Sequence, residues 1–318
     1  MVHIAFIENV SPFSKECLES AASADMKIWY WQELSEQERA DLLPRLHYLI
    51  VGAASIPAEL MRQAPALKMV VRTGTGYDKV DIAYAKSHGI AVANTPGANA
   101  NSVAEMTLGM MLSLGHKIVF FDRRVRQGHW DCFRFRGEEF ELKGKTHAII
   151  GMGAIGKLVA QYSHAFGTEL IYYNRHRLSA EEEAALHLTY CPLETIFSQA
   201  DILSLHVPLT GETRHMVNAQ RLAMMKPSAV LINVARGAVV DEAALIQALQ
   251  TGRIAGAALD TFVHEPLEPN SPLRTLPNVI LTPHEGSGSR DALGAILKIC
   301  MENIRRMEEG KEILYRVV

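Results

Sequence analysis

Cysteine is scarce in this sequence, and its few cysteines stand far apart. The 318 residues include 4 cysteines, at positions 17, 132, 191 and 300, and no two of them form a CxxC pair. This spacing indicates neither a zinc site nor a disulfide framework. We therefore expect a protein of a reducing compartment that holds no structural metal ion.

Strong charge and long apolar runs are missing as well. The formal net charge is -3, which gives no electrostatic reason to expect a nucleic-acid or membrane partner. No uninterrupted apolar stretch approaches the ~20 residues that span a bilayer. The first residues also lack the basic start and the long apolar region of a signal peptide. A cytoplasmic globular protein is the expectation.

What the sequence does contain is a regular alternation of strand-like and helix-like segments. Its 318 residues exceed what one hydrophobic core usually serves, so we expect two domains of about 100–200 residues each. Alternating strands and helices predict parallel sheets covered on both faces. A long apolar pattern at 102–121 predicts one buried helix between the domains. The predicted strands are residues 3–7, 27–31, 48–51, 68–71, 91–93, 146–150, 169–173, 202–207, 230–234, 255–259 and 279–281.

A glycine-rich turn follows the predicted strand at 146–150. It reads GMGAIG, with Gly151, Gly153 and Gly156, and opens a helical pattern at 157–166. In this setting the first glycine permits a tight turn, the second lets the backbone approach a pyrophosphate, and the third allows close helix–strand packing. The N–H groups at the start of the helix then bind the phosphates. The pattern predicts a dinucleotide site.

The residue that selects the dinucleotide should end the next strand, about 20 residues further on. An NAD enzyme carries Asp or Glu there, whereas this chain has Asn174, followed by Arg175 and Arg177. Loss of the carboxylate removes a repulsion, and two guanidinium groups are suited to a 2′-phosphate. We predict NADP as the preferred cofactor and leave NAD open, the alternative being a solvated basic turn.

Three side chains that can carry chemistry follow later predicted strands. Arg236 comes after the strand at 230–234, Glu265 after the strand at 255–259, and His284 after the strand at 279–281. The carboxyl ends of parallel strands form the edge where open α/β sheets bind ligands. Each residue alone is explained as well by a surface or buried structural role. Together with the glycine loop they indicate a catalytic site.

These segments, taken in order, resemble one enzyme family. The matching segments are TGTGYDKVD at 73–81, GMGAIG at 151–156, DILSLHVPLTGETRHMVN at 201–218, INVARGAVVDE at 232–242, ALDTFVHEP at 258–266 and TPHEGSGS at 282–289. The sequence is similar to the D-isomer-specific 2-hydroxyacid dehydrogenases. The resemblance implies an α/β protein with two doubly wound parallel-sheet domains, an active cleft between them and a homodimer. The flavodoxin-like substrate domain would comprise 1–98 and 286–318, and the Rossmann-like NAD(P)-binding domain 99–285.

The resemblance also implies roles for individual residues. His284 would act as the acid for reduction and the base for oxidation, and Glu265 would hold its imidazole. Arg236 would pair with the substrate carboxylate, which the backbone N–H groups of Thr75 and Gly76 would also grip. By family position the remaining cofactor contacts are Thr107, Ala154, Ile155, His206, Val207, Pro208, Thr213, Val234, Ala235, Arg236, Asp260 and His284. For Thr107, a hydroxyl bonded to its own helix is an equally good explanation.

The absence of a cation narrows the range of substrates that we expect. Family members that act on 3-phosphoglycerate carry a basic residue after the third strand, whereas residues 51–55 read VGAAS. We therefore expect a small unphosphorylated 2-oxo acid, glyoxylate or hydroxypyruvate first, and leave bulkier acids open. The aromatic stretch at 130–135 would line the pocket or a dimer interface. A phosphite-type dehydrogenase and a non-catalytic, dinucleotide-sensing interaction protein are the alternative functions.

Overall fold

The computed structural model describes residues 1–318, which form two compact units. The first unit comprises Met1–Asn99 and Ser287–Val318, and the second comprises Ala100–Gly286. The chain therefore leaves the first unit once and returns to it for its last residues.

The first unit contains a five-stranded parallel sheet. Its strands are β1 (Val2–Phe6), β2 (Met26–Tyr30), β3 (Tyr48–Val51), β4 (Met69–Arg72) and β5 (Ala91–Ala93). Their spatial order, β2-β1-β3-β4-β5, is that of flavodoxin-like sheets. Every residue of β3, β4 and β5 is buried, as expected of parallel strands that are covered on both faces.

Helices cover both faces of this sheet, and serine caps start several of them. The side chain of Ser35 accepts the Glu38 N–H while Glu38 bonds back to the Ser35 backbone, which satisfies two donors at the start of the helix. Ser11 caps the helix Pro12–Ala21 through its side chain alone, which accepts the Ser14 N–H, and Pro12 lies in the first turn. The α-helices are α1 (Pro12–Ala21), α2 (Glu36–Leu42), α3 (Ala58–Arg62), α4 (Ile82–Ser87) and the C-terminal helix (Arg290–Glu308), and the 3-10 helices are Trp31–Glu33 and Leu43–Arg45.

The second unit contains a seven-stranded parallel sheet. Its strands are β6 (Thr146–Ile150), β7 (Glu169–Tyr173), β8 (Leu188–Tyr190), β9 (Ile202–Leu205), β10 (Val230–Asn233), β11 (Gly256–Leu259) and β12 (Val279–Leu281). The spatial order is β12-β11-β10-β9-β6-β7-β8, the Rossmann order with one strand added. The direction of winding reverses between β6 and β9, and doubly wound sheets bind ligands beyond the carboxyl ends of the strands at such a point. The two parallel-sheet units confirm the predicted fold class.

The α-helices of the second unit are α5 (Ala100–Gly115), α6 (Ile118–Arg126), α7 (Ala154–Ala165), α8 (Ala180–Ala185), α9 (Leu193–Gln199), α10 (Ala219–Leu222) and α11 (Glu242–Gln250), and its 3-10 helices are Gly237–Val239 and Pro272–Arg274. Apolar clusters on both faces of the sheet pack most of these helices against it, whereas α6 and α8 have no buried residue. The strand β8 has no counterpart in the sequence prediction, because a three-residue segment with one exposed threonine shows little periodicity.

The single helix predicted for 102–121 is wrong, because the structure breaks it into α5 and α6. The Gly115 carbonyl accepts the Phe140 N–H at 3.0 Å, and Lys117 takes a left-handed φ of 50°. A Cβ at Gly115 would lie 2.8 Å from the Phe140 carbonyl oxygen, so glycine allows this close approach. No single helix is long and apolar enough to cross a membrane; α5 and α6 meet that criterion only jointly, across a 63° bend.

Candidate active site

The turn between β6 and α7 has the shape that the glycine pattern predicts. Gly151 has a φ of 99°, and a Cβ there would lie 2.5 Å from the His206 carbonyl oxygen. A Cβ at Gly156 would lie 2.0 Å from the Gly151 carbonyl oxygen, so any larger residue would open the turn. A Cβ at Gly153, the N-cap of α7, would meet no atom within 4 Å. The N–H groups of Ala154 and Ile155 begin the helix and lack intrahelical acceptors, so the geometry of this turn is suited to cradle a phosphate.

Asn174 joins the end of β7 to the glycine turn. Its Oδ1 accepts the Met152 N–H at 3.2 Å, and its Nδ2 donates to the His176 carbonyl at 2.8 Å. The residue that replaces the expected acid is therefore used to hold two loops together.

The two arginines beyond Asn174 differ in their surroundings. Arg177 donates from Nε and Nη2 to the two carboxylate oxygens of Glu183, both at 2.8 Å. This pairing, with a further hydrogen bond from Tyr172, lowers the pKa of Glu183 to about 2. Arg175 has only a 3.4 Å contact with Glu212, and its side chain is 72% exposed. The two guanidinium groups are therefore not equivalent ligands for a phosphate.

The loop after β9 lies against the glycine turn. Thr213 Oγ1 donates to the Pro208 carbonyl at 2.6 Å, which closes the loop that begins at His206 and Val207. His206 Nε2 is 2.9 Å from Ser204 Oγ, whereas its Nδ1 is buried and has no hydrogen-bond partner. The buried Nδ1 of His206 therefore lacks a partner, and it belongs to a loop that lies against the open glycine turn. A polar dinucleotide fits such an arrangement.

A chain of buried polar side chains continues from His206 into the sheet. His147 Nε2 lies 2.8 Å from Ser204 Oγ, and His147 Nδ1 lies 2.8 Å from Ser163 Oγ, which in turn lies 2.8 Å from Thr168 Oγ1. Burial lowers the pKa of His147 and the pKa of His206 to about 3 each. Both imidazoles are therefore neutral at physiological pH. Sequence reasoning missed this network, although a histidine inside an otherwise apolar strand was its visible signal.

His284 and Glu265 form a hydrogen-bonded pair at the carboxyl edge of the second sheet. His284 Nδ1 is 3.0 Å from Glu265 Oε1, with side-chain exposures of 34% and 16%. The same Glu265 oxygen accepts the Phe262 N–H at 3.2 Å, which orients the carboxylate. His284 Nε2 makes no hydrogen bond within the protein, so the imidazole can exchange a proton there with a ligand.

Arg236 follows β10 at the same edge of the sheet. Asn233 donates from Nδ2 to the Arg236 carbonyl at 2.9 Å and accepts the Ala235 N–H at 3.0 Å, so its amide shapes the turn of Val234–Arg236. Arg236 Nη1 donates to the Ala235 carbonyl at 2.8 Å. The guanidinium is thereby held close to its own backbone.

Asp260 orders the segment that carries His284. Its Oδ1 accepts from the Thr282 hydroxyl at 2.6 Å and from the Glu285 N–H at 2.8 Å, and its Oδ2 accepts the Gly286 N–H at 2.9 Å. Both oxygens of the buried Asp260 carboxylate therefore accept hydrogen bonds from within the protein. Thr107 is also turned inward, because its hydroxyl donates to the Val103 carbonyl of its own helix at 2.8 Å.

In the first unit, Thr75 and Gly76 lie in the loop after β4. The Thr75 carbonyl accepts from Asn94 Nδ2 at 2.8 Å, and the Gly76 carbonyl accepts from Arg72 Nε at 3.0 Å. Neither the Thr75 nor the Gly76 N–H has a partner within the protein. Two held carbonyls and two available N–H groups make a loop suited to an anion. Sequence reasoning missed Arg72 and Asn94, whose signal was a polar residue at or just beyond the end of an apolar strand.

A Rossmann-like unit with a phosphate cradle and a histidine–carboxylate pair defines a dinucleotide-dependent oxidoreductase. Comparison with known proteins gives the family. Residues 108–286 match the model of the D-isomer specific 2-hydroxyacid dehydrogenase, NAD binding domain. The chain belongs to the D-isomer specific 2-hydroxyacid dehydrogenase family, and it is an enzyme that uses a nicotinamide dinucleotide to interconvert a small 2-oxo acid and a D-2-hydroxy acid.

Individual relatives cover nearly the whole chain. The glyoxylate reductase of Aeropyrum pernix is 39% identical over 299 residues, which are 90% of this chain and 88% of that protein. The hydroxypyruvate reductase of Thermotoga maritima is 36% identical over 88% of this chain and 91% of its own. The crystal structure of the TT0316 protein from Thermus thermophilus superposes with a TM-score of 0.89 at 32% identity and covers 100% of both chains.

Proposed function

We propose that this enzyme reduces glyoxylate or hydroxypyruvate to the D-2-hydroxy acid and prefers NADPH. The observation that carries the reaction is the 3.0 Å pair of His284 and Glu265 in the same unit as the glycine cradle. The substrate rests on the absence of a cation in residues 51–55 and on the similarity to proteins named glyoxylate reductase and hydroxypyruvate reductase.

In this proposal each residue has a defined task. The nicotinamide, when bound, supplies hydride to the carbonyl carbon of the substrate. His284 Nε2 gives a proton to the oxygen on which charge develops, and Glu265 keeps the imidazole in position and stabilises its cationic form. We assign the binding of the substrate carboxylate to Arg236 in the second unit and to the Thr75 and Gly76 N–H groups in the first.

The cofactor preference depends on Arg175 more than on Arg177. No carboxylate stands at Asn174 to repel a 2′-phosphate, and Arg175 is exposed with a single weak ion pair. Two donors of Arg177 already bind Glu183, so a phosphate would have to compete with that carboxylate for the guanidinium.

We further propose that the enzyme is a cytoplasmic homodimer. The support is a group of exposed apolar side chains in and after α6. Trp130 is 83% exposed and Phe133 is 66% exposed, and large apolar groups of this kind are enriched at protein interfaces.

One set of assays tests the reaction, substrate and cofactor together. Glyoxylate, hydroxypyruvate, pyruvate, phenylpyruvate and phosphite are each assayed with the matching reduced or oxidised form of both dinucleotides. We expect the highest kcat/KM for glyoxylate or hydroxypyruvate with NADPH. The variant His284→Gln should retain dinucleotide binding and lose about 10²- to 10⁴-fold in kcat, because it has no transferable proton. Near-normal turnover in that variant would refute the assignment of the acid.

A further inference from the structure

Glu8 places a carboxylate at the carboxyl edge of the first unit's sheet. It follows β1, and its Oε1 accepts the N–H of Gly52 at 2.8 Å and the N–H of Ala54 at 3.0 Å. Both donors belong to the loop after β3. Two charge-assisted hydrogen bonds fix the position of the carboxylate.

The same carboxylate borders the loop that contains Thr75 and Gly76. A Cβ at Gly52 would lie 3.0 Å from Glu8 Cγ and 3.0 Å from Thr73 Oγ1, so Glu8 and Thr73 flank one narrow position. Thr73 begins the segment whose Thr75 and Gly76 N–H groups are available to an anion. A negative side chain therefore stands beside the loop to which we assign the substrate carboxylate.

No cation within ion-pair distance neutralises Glu8. Two cations, Arg72 and Lys79, donate to carbonyls of these loops. Arg72 is 5% exposed and donates to the carbonyls of Gly76 and Ala54, and Lys79 donates to the Ala53 carbonyl at 3.0 Å. These groups hold the loops through carbonyl oxygens, whereas Glu8 forms no ion pair within 4.0 Å and its Oε2 accepts no hydrogen bond.

We propose that Glu8 is a specificity residue that disfavours 2-oxo acids with a second negative charge. This inference rests on the proposed function, because it needs the substrate carboxylate to bind at Thr75 and Gly76. A phosphate or second carboxylate on the substituent would approach Glu8. At a separation of about 6 Å and an effective dielectric constant of about 20–40, that repulsion amounts to about 10- to 100-fold in kcat/KM. Glyoxylate has no such group, and the hydroxyl of hydroxypyruvate can donate to Oε2.

The variant Glu8→Gln removes the negative charge of the side chain but keeps its hydrogen-bonding geometry. Its amide oxygen can still accept the Gly52 and Ala54 N–H groups, so the loop keeps its anchor. The measured quantity is kcat/KM for oxaloacetate and for 3-phosphohydroxypyruvate, each divided by kcat/KM for glyoxylate. We expect both ratios to rise about 10-fold or more in the variant. The matched control is Glu16→Gln, the same change at an exposed position on α1, which should leave both ratios unaltered.

A second measurement needs no substitution. Salt screens repulsion between exposed charges, with a Debye length of about 10 Å at 0.1 M and about 3 Å at 1 M. The oxaloacetate-to-glyoxylate ratio of the unsubstituted enzyme should therefore rise with ionic strength, and this rise should be smaller in Glu8→Gln.

The outcomes separate this inference from the proposed function. Equal ratios in the unsubstituted enzyme and in Glu8→Gln, with glyoxylate reduced by both, would overturn the role of Glu8 and leave the proposed function intact. A salt-independent ratio would overturn it as well, even if the variant did not fold. Failure of the unsubstituted enzyme to reduce any of the 2-oxo acids would overturn the proposed function and, with it, this inference.

Discussion

His284 combines a hydrogen-bonded side chain with an uncommon backbone conformation. Its φ is 58°, a left-handed value that few residues other than glycine adopt. Asp260 accepts the N–H groups of the next two residues, which holds the chain in this conformation. Left-handed non-glycine residues persist where neighbouring contacts determine them, and they are concentrated at functional sites. The structure therefore shows how the predicted acid is held, which the motif TPH alone does not.

Arg175 and Arg177 are separated by one residue but differ in how available their guanidinium groups are to a phosphate. Because Arg177 is paired to Glu183 through two donors, Arg175→Ala should have the larger effect on the cofactor. We expect Arg175→Ala to lower kcat/KM for NADPH about 10- to 100-fold, the worth of one or two charge-assisted hydrogen bonds. The value for NADH should change little, since NADH has no 2′-phosphate.

The matched comparison is Arg177→Ala, assayed with both dinucleotides. A larger loss of NADPH activity in Arg177→Ala than in Arg175→Ala would contradict the structural argument. Equal use of NADPH and NADH by the unsubstituted enzyme would contradict the cofactor preference itself.

At the scale of elements, β6 differs from its neighbours because it carries His147 in its interior. A buried imidazole is stabilised in its neutral form, which lowers the pKa of His147 and the pKa of His206 to about 3. The hydroxyls of Ser163 and Ser204 satisfy the His147 ring nitrogens and connect α7, β6 and β9. This network links the sheet to the loop beside the glycine turn.

The network predicts a loss of stability in acid. The folded-state pKa of about 3 lies below the ordinary histidine value of 6.5, so between these pH values the unfolded chain binds protons that the folded chain does not. The free energy of unfolding should therefore fall as pH drops below 6.5, by up to about 1.4 kcal/mol per pH unit for each of the two histidines. Urea denaturation at pH values from 7 to 5 measures this slope.

The variant His147→Gln tests the origin of that slope. Removal of one of these groups should make the dependence on pH less steep, even though the variant is less stable at pH 7. His129→Gln changes an exposed histidine and should leave the slope as it is. An unchanged slope in His147→Gln would show that other groups cause the acid sensitivity.

At the scale of the whole molecule, exposed apolar side chains distinguish one region of the second unit. Trp130 and Phe133 lie beyond α6, on which Ile118, Val119 and Val125 are also exposed. Aromatic anchors at an interface are worth about 2 kcal/mol or more each, so the double variant Trp130→Ser and Phe133→Ser should raise the dimer dissociation constant about 10³-fold or more. Sedimentation equilibrium measures this constant.

The control for the dimer is Phe166→Ser, which removes an exposed aromatic residue next to α7. It should leave the dissociation constant unchanged. A monomeric unsubstituted enzyme at micromolar concentration would refute the homodimer, and a double variant that associates as tightly as the unsubstituted enzyme would place the interface elsewhere.

Much of the fold could be predicted, because buried parallel strands are recognisable as short apolar runs. The predicted bounds agree with the structure for β3, β5, β6, β7 and β12. The prediction failed where a distant partner decides the local conformation. The break between α5 and α6 is an example, since it depends on the approach of Phe140 to Gly115.

The sequence by itself determined the family and the class of chemistry, because a glycine turn and three charged motifs in a set order can be recognised from the order of residues alone. Tertiary structure alone decided which side chains are available for that chemistry. It pairs Arg177 with Glu183, and it brings Glu8 to Gly52, 44 residues away. The physical reason is that hydrogen bonds and charges act over a few ångströms in space, whereas a linear motif records only order along the chain.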